Sequence, residues 1–365
     1  MKSLIINKED LRHNINVIKK QAICNEKYNF IGIVKGNGYG LGLIEYSKFL
    51  LDNGIETLGV ATTEEAIELR EAGIKEEILM LSSTCIKEEI EKLIEKNITL
   101  TIDSLEMAET VSEIAETKDV KAHIKIDTGF GRYGFLYNDI DSLIKSIYIL
   151  KNVELEGIYT HLSLAYYKNN KWTNTQYNRF LSVIKILYTN NISFKKTHIC
   201  NSPAFLNYSN MHLNCSRIGS AFLGRVDSQN DIGLKKIGKL KANITEIKTV
   251  PKGYNIGYLN SYRTKRKTKI AIVPIGYAEG CNVGNKEDMF RFIDKLRNVS
   301  QGIKKILRHT CIKVKINKKE YRVIGKIGMY HMAIDITGSD IKVNDEVYID
   351  ANPIYIDRNV RREYI

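Results

Sequence analysis

Short apolar runs alternate with amphipathic segments through the first two-thirds of the chain. The runs are rich in β-branched residues and read FIGIVK, TLGVAT, EILMLS, ITLTID, AHIKID, LEGIYTH, THICNS and CSRIGS. The segments between them, such as TEEAIELREAGI, carry apolar residues at helical spacing beneath a charged face. Eight such strand–helix units in succession predict a (β/α)8 TIM-type barrel, with an open doubly wound sheet as the alternative.

The pattern changes to a period of two from about residue 235. Runs such as KLKANITEIKTV, TKIAIVPIGY, YRVIGKIGM and DEVYID are separated by the turn signals PKG and TGSD, which is typical of a mainly antiparallel β domain. One helical stretch, Lys286–Val299, interrupts this region. We therefore predict two domains, a barrel over residues 1–232 and a C-terminal β domain over residues 233–365.

The composition is that of an ordinary globular protein, with 43% hydrophobic and 27% charged residues. No apolar run approaches the roughly 18 residues of a membrane span, and the N-terminal segment does not resemble a secretory signal, so a cytoplasmic protein without a membrane partner is expected. The six cysteines lie far apart without a Cys-x-x-Cys pair, so neither disulfides nor a metal site is predicted.

The net charge of +13 raises the question of nucleic-acid binding. However, the basic residues are spread along the chain, and the densest cluster, TKRKTK (Thr264–Lys269), directly precedes a strand-like run. Without a recognisable nucleic-acid motif, this cluster is predicted to be a solvated turn. The charge equally suits an acidic small ligand that bears a phosphate.

Polar residues gather where the predicted barrel strands end, and barrels of this kind hold their active sites at that edge. The glycines of VKGNGYG, directly after the first run, allow backbone to approach a ligand closely there. Each polar residue alone is compatible with a structural role, and for Asp103 that interpretation is preferred. The residues at strand ends are Lys35, Asp103, Lys125, Asp127, His161, Asn201, Ser202 and Arg217.

The seventh and eighth runs end in NSPA and RIGSAFLGR, which supply hydroxyl groups and glycine-linked backbone N–H groups. Barrels often bind a phosphate at this position. A phosphate site together with Lys35 and Arg217 suggests pyridoxal 5'-phosphate, because a lysine can bind its aldehyde and a cation can meet its ring nitrogen.

The chain resembles the alanine racemase family, which are fold-type III pyridoxal-phosphate enzymes, over nearly its full length. The resemblance rests on eight motifs in the family's order: VKGNGYG, KIDTGFGRYGF, GIYTHLSLA, HICNSPA, SRIGSAFLG, NIGYLNSY, VPIGYAEG and GKIGM. It implies an isomerase built as a barrel followed by a β domain.

The resemblance also implies roles for individual residues. Lys35 matches the lysine that binds the cofactor and acts as a base on one face of the substrate's α-carbon. Tyr258 matches the base on the opposite face, which the partner subunit provides in this family, so a homodimer with composite active sites is expected. Racemisation needs such an arrangement, since one group removes the α-proton and another returns a proton on the other face.

Further positions match cofactor and substrate contacts of the family. His161 and Arg217 match residues that assist the tyrosine base, and Arg217 also faces the pyridine nitrogen. Arg132 and the Met329 backbone match groups that bind the substrate carboxylate, with Met329 again from the partner. Tyr277 matches a residue at the substrate entrance, and Lys125 a lysine that carries a carbamate in some members. Contacts to the cofactor's phosphate are matched by Tyr39, Ser202, Gly219 and Ser220, and Asn201 is expected to bind the cofactor as well.

The chain departs from the family pattern at several positions. The family usually has histidine at the position of Leu41 and alanines at those of Gly36 and Gly38. Aspartate and glutamine usually stand where this chain has Tyr330 and His331, and a tyrosine that narrows the substrate pocket is replaced near Arg358 or Asn359. These departures leave the preferred amino acid open.

The interpretation that follows is a racemase that interconverts L- and D-alanine and supplies D-alanine for peptidoglycan. The alternatives are a racemase of serine or another amino acid, a decarboxylase of the same fold type, and a non-catalytic pyridoxal-phosphate carrier. A decarboxylase would require a carboxylate in place of Arg217. A carrier would lack both the β domain and the second base, and this chain has both.

Overall fold

The computed structural model describes residues 2–22, 28–226, 231–283, 295–296, 299–300, 303 and 312–365. The chain divides into two compact units, residues 9–236 and residues 1–8 together with 237–365. The sequence pattern predicts that residues 1–8 belong to the first domain. In the structure they belong to the second unit, because β1 (Ser3–Ile6) is a strand of that unit's sheet.

The first unit is built on a ring of parallel strands. Hydrogen-bonded neighbours run in the order β4-β3-β2-β10-β9-β8-β6-β5, and a parallel bridge between Leu79 and Thr99 joins the two ends of this series. The predicted barrel and its eight strands are therefore confirmed, and the open sheet is excluded. The strands are β2 (Asn29–Ile33), β3 (Thr57–Val60), β4 (Glu77–Met80), β5 (Leu100–Ile102), β6 (Val120–Asp127), the short β7 (Phe135–Leu136) that pairs only with β6, β8 (Val153–Tyr159), β9 (Lys196–His198) and β10 (Cys215–Ile218).

Amphipathic segments between these strands form helices, as their periodicity predicts. The segment TEEAIELREAGI supplies a helix whose start is fixed by Thr62, because its hydroxyl accepts a hydrogen bond from the Glu65 N–H at 3.3 Å. The described helices are α1 (Lys8–Lys20), α3 (Leu43–Asp52), α4 (Thr63–Glu71), α5 (Lys87–Glu95), α6 (Leu105–Ile114), α7 (Ile140–Ile149), α8 (Lys171–Thr189) and α9 (Ser202–Asn207), whereas the short segment α2 (Lys35–Tyr39) has a left-handed backbone.

The second unit is a nine-stranded sheet with the order β12-β15-β18-β17-β16-β19-β11-β1-β20. Only the pair of β1 and β20 is parallel, so the predicted mainly antiparallel domain is confirmed. Its strands after β1 are β11 (Lys239–Asn243), β12 (Glu246–Val250), the separate hairpin of β13 (Asn255–Ile256) and β14 (Tyr262–Arg263), β15 (Thr268–Val273), β16 (Lys313–Ile316), β17 (Lys319–Ile324), β18 (Met332–Asp335), β19 (Glu346–Asp350) and β20 (Arg361–Tyr364).

Two further expectations concern this half of the chain. The basic cluster at residues 264–269 includes an exposed turn, Lys265–Lys267, between β14 and β15. The helix predicted at Lys286–Val299 lies largely outside the described residues. In the part of the chain that the structure describes, no helix is long and apolar enough to cross a membrane.

Candidate active site

The backbone after Lys35 forms a left-handed turn. Gly36, Asn37, Gly38 and Tyr39 have φ angles of 66°, 57°, 64° and 52°. Each non-glycine residue in such a conformation costs about 1–2 kcal/mol, whereas glycine adopts it without a steric penalty. The glycines of VKGNGYG are therefore needed for the turn itself, and the turn places both Lys35 and Tyr39 on the lining of one cavity.

Two side chains stabilise this turn. The buried carboxylate of Glu65 accepts hydrogen bonds from the N–H groups of Gly36 at 2.6 Å and Asn37 at 3.2 Å. The Asn37 side-chain oxygen accepts from the Leu43 N–H at 3.0 Å and so joins the turn to α3. Sequence reasoning missed Glu65, although its position three residues after the helix cap Thr62 is a recognisable signal.

A cavity of about 170 Å³ lies at the carboxyl ends of the barrel strands. It is lined by every barrel residue proposed for the site from the family resemblance, and also by Tyr159 and Tyr166, which the sequence analysis did not single out. The lining residues are Ile33, Lys35, Tyr39, Leu81, Lys125, Arg132, Tyr159, His161, Tyr166, Asn201, Ser202, Pro203, Arg217, Gly219 and Ser220.

The cavity is strongly electropositive. Lys35, Lys125, Arg132 and Arg217 line it, and no aspartate or glutamate is among its described lining residues. Burial, followed by the charge of Arg132, lowers the pKa of Lys35, although Glu65 partly opposes this effect. Burial and the charges of Arg132 and Arg217 lower the pKa of Lys125 to about 7. The cavity thus suits a ligand with several negative charges and holds amines that lose their protons readily.

One wall of the cavity is suited to a phosphate group. Ser202 accepts hydrogen bonds from the N–H groups of Gly219 at 3.0 Å and Ala221 at 3.2 Å, so its own hydroxyl hydrogen is left to donate. No described residue accepts from the Ser220 N–H. A Cβ atom on Gly219 would lie 2.7 Å from the Tyr39 ring, so glycine is required for that phenol to lie here. Burial raises the pKa of Tyr39 to about 12, which keeps its hydroxyl protonated as a donor.

Arg217 is almost fully buried behind the cavity. Its Nη1 donates to His198 Nδ1 at 2.7 Å, and its Nη2 donates to the Thr160 carbonyl at 2.7 Å and lies 3.3 Å from His161 Nδ1. Because a guanidinium only donates, both imidazoles accept at Nδ1, and in their neutral forms carry hydrogen at Nε2. The hydrogen bonds of Arg217 to other described residues all use Nη1 and Nη2, so its Nε–H is left to donate to a ligand in the cavity that Arg217 lines.

The loop after β6 carries Arg132 and is folded back by Asp127. The Asp127 carboxylate accepts from the N–H groups of Gly129 and Phe130 at 2.8 Å and Gly131 at 2.9 Å. The Arg132 guanidinium lies over the Phe130 ring, 4.5 Å from its centre. Asp127 thus acts on the loop and does not line the cavity.

Asp103, the other carboxylate that the sequence places at a strand end, is also outside the cavity lining. Its side chain accepts a hydrogen bond from the Ser83 hydroxyl at 2.5 Å. This contact agrees with the structural role preferred for it from the sequence.

The site residues that the resemblance assigns to the β domain lie on the second unit. Tyr258, which is 67% exposed, and Met329 line a groove of about 580 Å³, together with Tyr330 and His331. Tyr277 joins the same segment, because its N–H donates to the Gly328 carbonyl at 3.2 Å. No described residue accepts from the Met329 N–H.

Comparison with known proteins gives consistent matches along the chain. A family model described as alanine racemase, N-terminal domain, matches residues 6–226, and one described as alanine racemase, C-terminal domain, matches residues 237–358. An alanine racemase of Methanococcus maripaludis is 36% identical over 347 residues, which are 93% of this chain and 86% of that protein. A second, alanine racemase 1 of Caldanaerobacter subterraneus, is 32% identical over 93% of this chain and 82% of its own length.

Solved structures agree with these relatives. The structure of an alanine racemase from Clostridium difficile superposes with a TM-score of 0.84 at 32% identity, and covers 100% of this chain and 95% of that one.

Proposed function

The chain belongs to the alanine racemase family, and we propose that this protein is a pyridoxal-phosphate-dependent isomerase that interconverts L-alanine and D-alanine. One observation carries the proposal. A single cavity is lined by a lysine of lowered pKa, by hydroxyl and N–H groups suited to a phosphate, and by a buried arginine whose Nε–H has no acceptor among the described residues.

The residues of the cavity fit pyridoxal phosphate. Tyr39, Ser202 and the backbone at Gly219 and Ser220 would hold the phosphate, and Lys35 would bind the aldehyde. When bound, the cofactor withdraws electrons from an attached amino acid and so acidifies its α-hydrogen. Arg217 would donate its Nε–H to the ring nitrogen. Since a guanidinium keeps its proton, it would leave that nitrogen unprotonated and so restrain side reactions such as transamination.

Proton transfer on one face of the α-carbon is assigned to Lys35. A general base must be unprotonated to act, and burial together with Arg132 increases the neutral fraction of this amine. The opposite face is assigned to Tyr258 of the partner subunit. His161 supports this assignment, because its Nε2–H, set by Arg217 at Nδ1, is a donor that can stabilise a phenolate.

The homodimer is part of the same proposal. Tyr258 and the neighbouring Leu259 are 67% and 88% exposed on the second unit, and Met329 and Tyr330 are about half exposed beside them in the groove. An exposed group of large side chains of this kind indicates an interaction surface, and the family resemblance implies that a second copy of the chain covers it. In such a dimer the partner's Met329 would offer its free N–H to the substrate carboxylate, together with Arg132, and Tyr277 would line the entrance.

Lys125 is expected to carry a carbamate. With a pKa of about 7, its amine is largely neutral above pH 7 and can add carbon dioxide, forming an N–C bond and releasing one proton. The anionic product would relieve the repulsion from Arg132 and orient it. Enzyme equilibrated with ¹³C-bicarbonate should show a carbamate carbon signal above pH 7 that is absent in Lys125→Met, and Lys125→Met should raise KM for alanine by about tenfold. A wild-type spectrum without that signal contradicts the assignment.

The test of the proposed function is chiral product analysis. Purified enzyme with added pyridoxal phosphate is offered L-alanine, L-serine and L-lysine in heavy water, and both racemisation and α-deuterium incorporation are followed. We expect alanine to react fastest. If serine or lysine reacts fastest, we would infer that Tyr330, His331 and Arg358 determine the substrate preference. If none of the three amino acids incorporates deuterium, the non-catalytic carrier would be favoured.

The physiological role belongs to the same proposal. Cytoplasmic supply of D-alanine for peptidoglycan, the cell-wall polymer, is inferred from the family resemblance. It depends on alanine being the preferred substrate in the experiment above.

A further inference from the structure

A column of buried polar side chains leads from Arg217 away from the cavity. Arg217 Nη1 contacts His198 Nδ1 at 2.7 Å, and His198 Nε2 lies 2.9 Å from His123 Nδ1. His123 Nε2 then faces Glu77 Oε1 at 3.7 Å. Both histidines are 0% exposed, and of these four residues only Arg217 lines the cavity. Because Glu77 begins β4, the column ends at the amino-terminal side of the barrel.

The barrel backbone is fitted to the His123 ring. Gly157 pairs with His123 across β6 and β8, and a Cβ atom on Gly157 would lie 2.6 Å from the imidazole. The register of the two strands also shifts between Ala122 and His123. A shift of this kind redirects a side chain. Any side chain larger than that of glycine at position 157 would therefore clash with the imidazole of His123.

The chemistry of Arg217 fixes the direction of every hydrogen bond in the column. The guanidinium can only donate, so His198 accepts at Nδ1 and, when neutral, carries its hydrogen at Nε2. That hydrogen points to His123 Nδ1, which leaves the His123 hydrogen on Nε2, opposite Glu77. Burial and the charge of Arg217 lower the pKa of His198 well below its ordinary value, and burial with Lys196 and Arg217 lowers that of His123 to about 3. Both rings are therefore neutral.

The far end of the column holds an unused acceptor. His123 Nε2 and Glu77 Oε1 are both buried without a hydrogen-bond partner in the described structure. The other oxygen of Glu77 is occupied by the Lys196 ammonium and by the Thr57 hydroxyl at 2.9 Å. Glu156 lies close enough for Glu77, His123 and Glu156 to resemble a metal site. The ammonium group of Lys196 contacts the carboxylates of both Glu77 and Glu156, so this side chain supplies the positive charge of the cluster.

Among the described residues, no carboxylate contacts Arg217. Its contacts in the described part of the chain are with imidazole nitrogens and with the carbonyls of Thr160, His198 and Ile199. A buried charge is strongly destabilised without compensation, and hydrogen-bonded chains in a low-dielectric interior polarise one another. Hydrogen bonds connect Arg217 through His198 to His123. The last step to Glu77 is a gap of 3.7 Å between His123 Nε2 and Glu77 Oε1, so the carboxylate acts on this chain electrostatically across that gap.

We propose that Glu77 is the remote counter-charge of Arg217, and that it acts through His123 and His198 to hold the guanidinium in place as the hydrogen-bond donor of the cavity. Glu77 is then a positioning residue and does not touch the reacting atoms. The part of this inference that concerns catalysis rests on the proposed function, whereas the charge relay itself does not.

The relay is tested by NMR of ¹⁵N-histidine- and ¹⁵N-arginine-labelled protein, with histidines assigned by single replacement with asparagine. Neutral His123 and His198, each with hydrogen on Nε2, are expected. Glu77→Gln should move the Nε2–H protons of both rings and the side-chain N–H of Arg217 upfield. The control is Glu154→Gln. Glu154 lies in the same strand as Glu156, and its exposed carboxylate accepts a hydrogen bond from Lys195 at 2.6 Å. This change should shift none of these proton signals.

The proposal is overturned if either ring carries its hydrogen on Nδ1, or if Glu77→Gln shifts the His123 signal but not those of His198 and Arg217. Should Glu77→Gln not fold, Glu77→Asp keeps the charge but withdraws it by one methylene, and smaller shifts in the same direction are expected. With a racemising wild type, Glu77→Gln should lower kcat by about tenfold at an unchanged KM. Because the NMR arm needs no turnover, a failure of the proposed function is distinguishable from a failure of the relay.

Discussion

Replacing Lys35 by alanine is expected to lower racemisation by at least about 10³-fold in both directions. The change removes the amine that we propose binds the cofactor and acts as the base on one face of the α-carbon. The visible absorbance of the covalently bound cofactor should disappear as well. The measurement is chiral analysis of product together with an absorption spectrum of the purified protein after exposure to pyridoxal phosphate.

The matched control for this change is Lys48→Ala, since Lys48 is an exposed lysine of α3 outside the cavity lining. It should retain both activity and absorbance. An unchanged spectrum in Lys35→Ala would show that another lysine binds the cofactor, and Lys125 would then be the first candidate because its pKa is also lowered.

Replacing Tyr258 by phenylalanine should reduce racemisation by about 10²- to 10⁴-fold in both directions, because each direction needs a proton donor or acceptor on both faces. Lys35 is retained, so one enantiomer of alanine should still exchange its α-hydrogen with solvent while keeping its configuration. Deuterium incorporation and chirality are therefore measured on the same samples, starting from each enantiomer separately.

Tyr254→Phe is the control, because Tyr254 lines the same groove and is 50% exposed. It should racemise alanine within about twofold of the wild type. Equal loss of exchange from both enantiomers in Tyr258→Phe would mean that the phenol does not act as the base of one face.

The strands and the mouth of the barrel followed from the sequence because both depend on local pattern. Apolar runs of four to eight residues locate strands, and the carboxyl ends of parallel strands meet at one edge. Lys35, His161 and Arg217 could therefore be placed together without knowledge of any contact. The role of Asp127 could not be assigned in this way, since it depends on the path of the loop that follows its strand.

Long-range strand pairing and buried polar contacts could not be predicted from the sequence. The four residues of β1 pair with strands more than 230 residues away, and nothing in their composition distinguishes them from a barrel strand. His123 and His198 lie within apolar runs, where a histidine reads as an ordinary buried residue. Only the distances between them, and the glycine opposite His123, give them a common role.

The placement of Tyr258 and Met329 depended on motif resemblance rather than on periodicity. Both lie in short turns of the second unit, and Leu259 adopts a left-handed φ of 59° next to Tyr258. Such turns have no repeating pattern. Their proximity to Tyr277 is shown by backbone hydrogen bonds, in which the carbonyls of Gly328 and Met329 accept from the segment that begins at Tyr277.

We propose a composite site in which Lys35 of one subunit works with Tyr258 of its partner. It is tested most directly by co-expressing Lys35→Ala and Tyr258→Phe chains with different affinity tags and assaying the purified mixed dimer for alanine racemisation. Each parent dimer should be nearly inactive, whereas the mixed dimer contains one site with both residues intact and should recover roughly half of the wild-type activity. A mixed dimer as inactive as its parents would contradict the composite site.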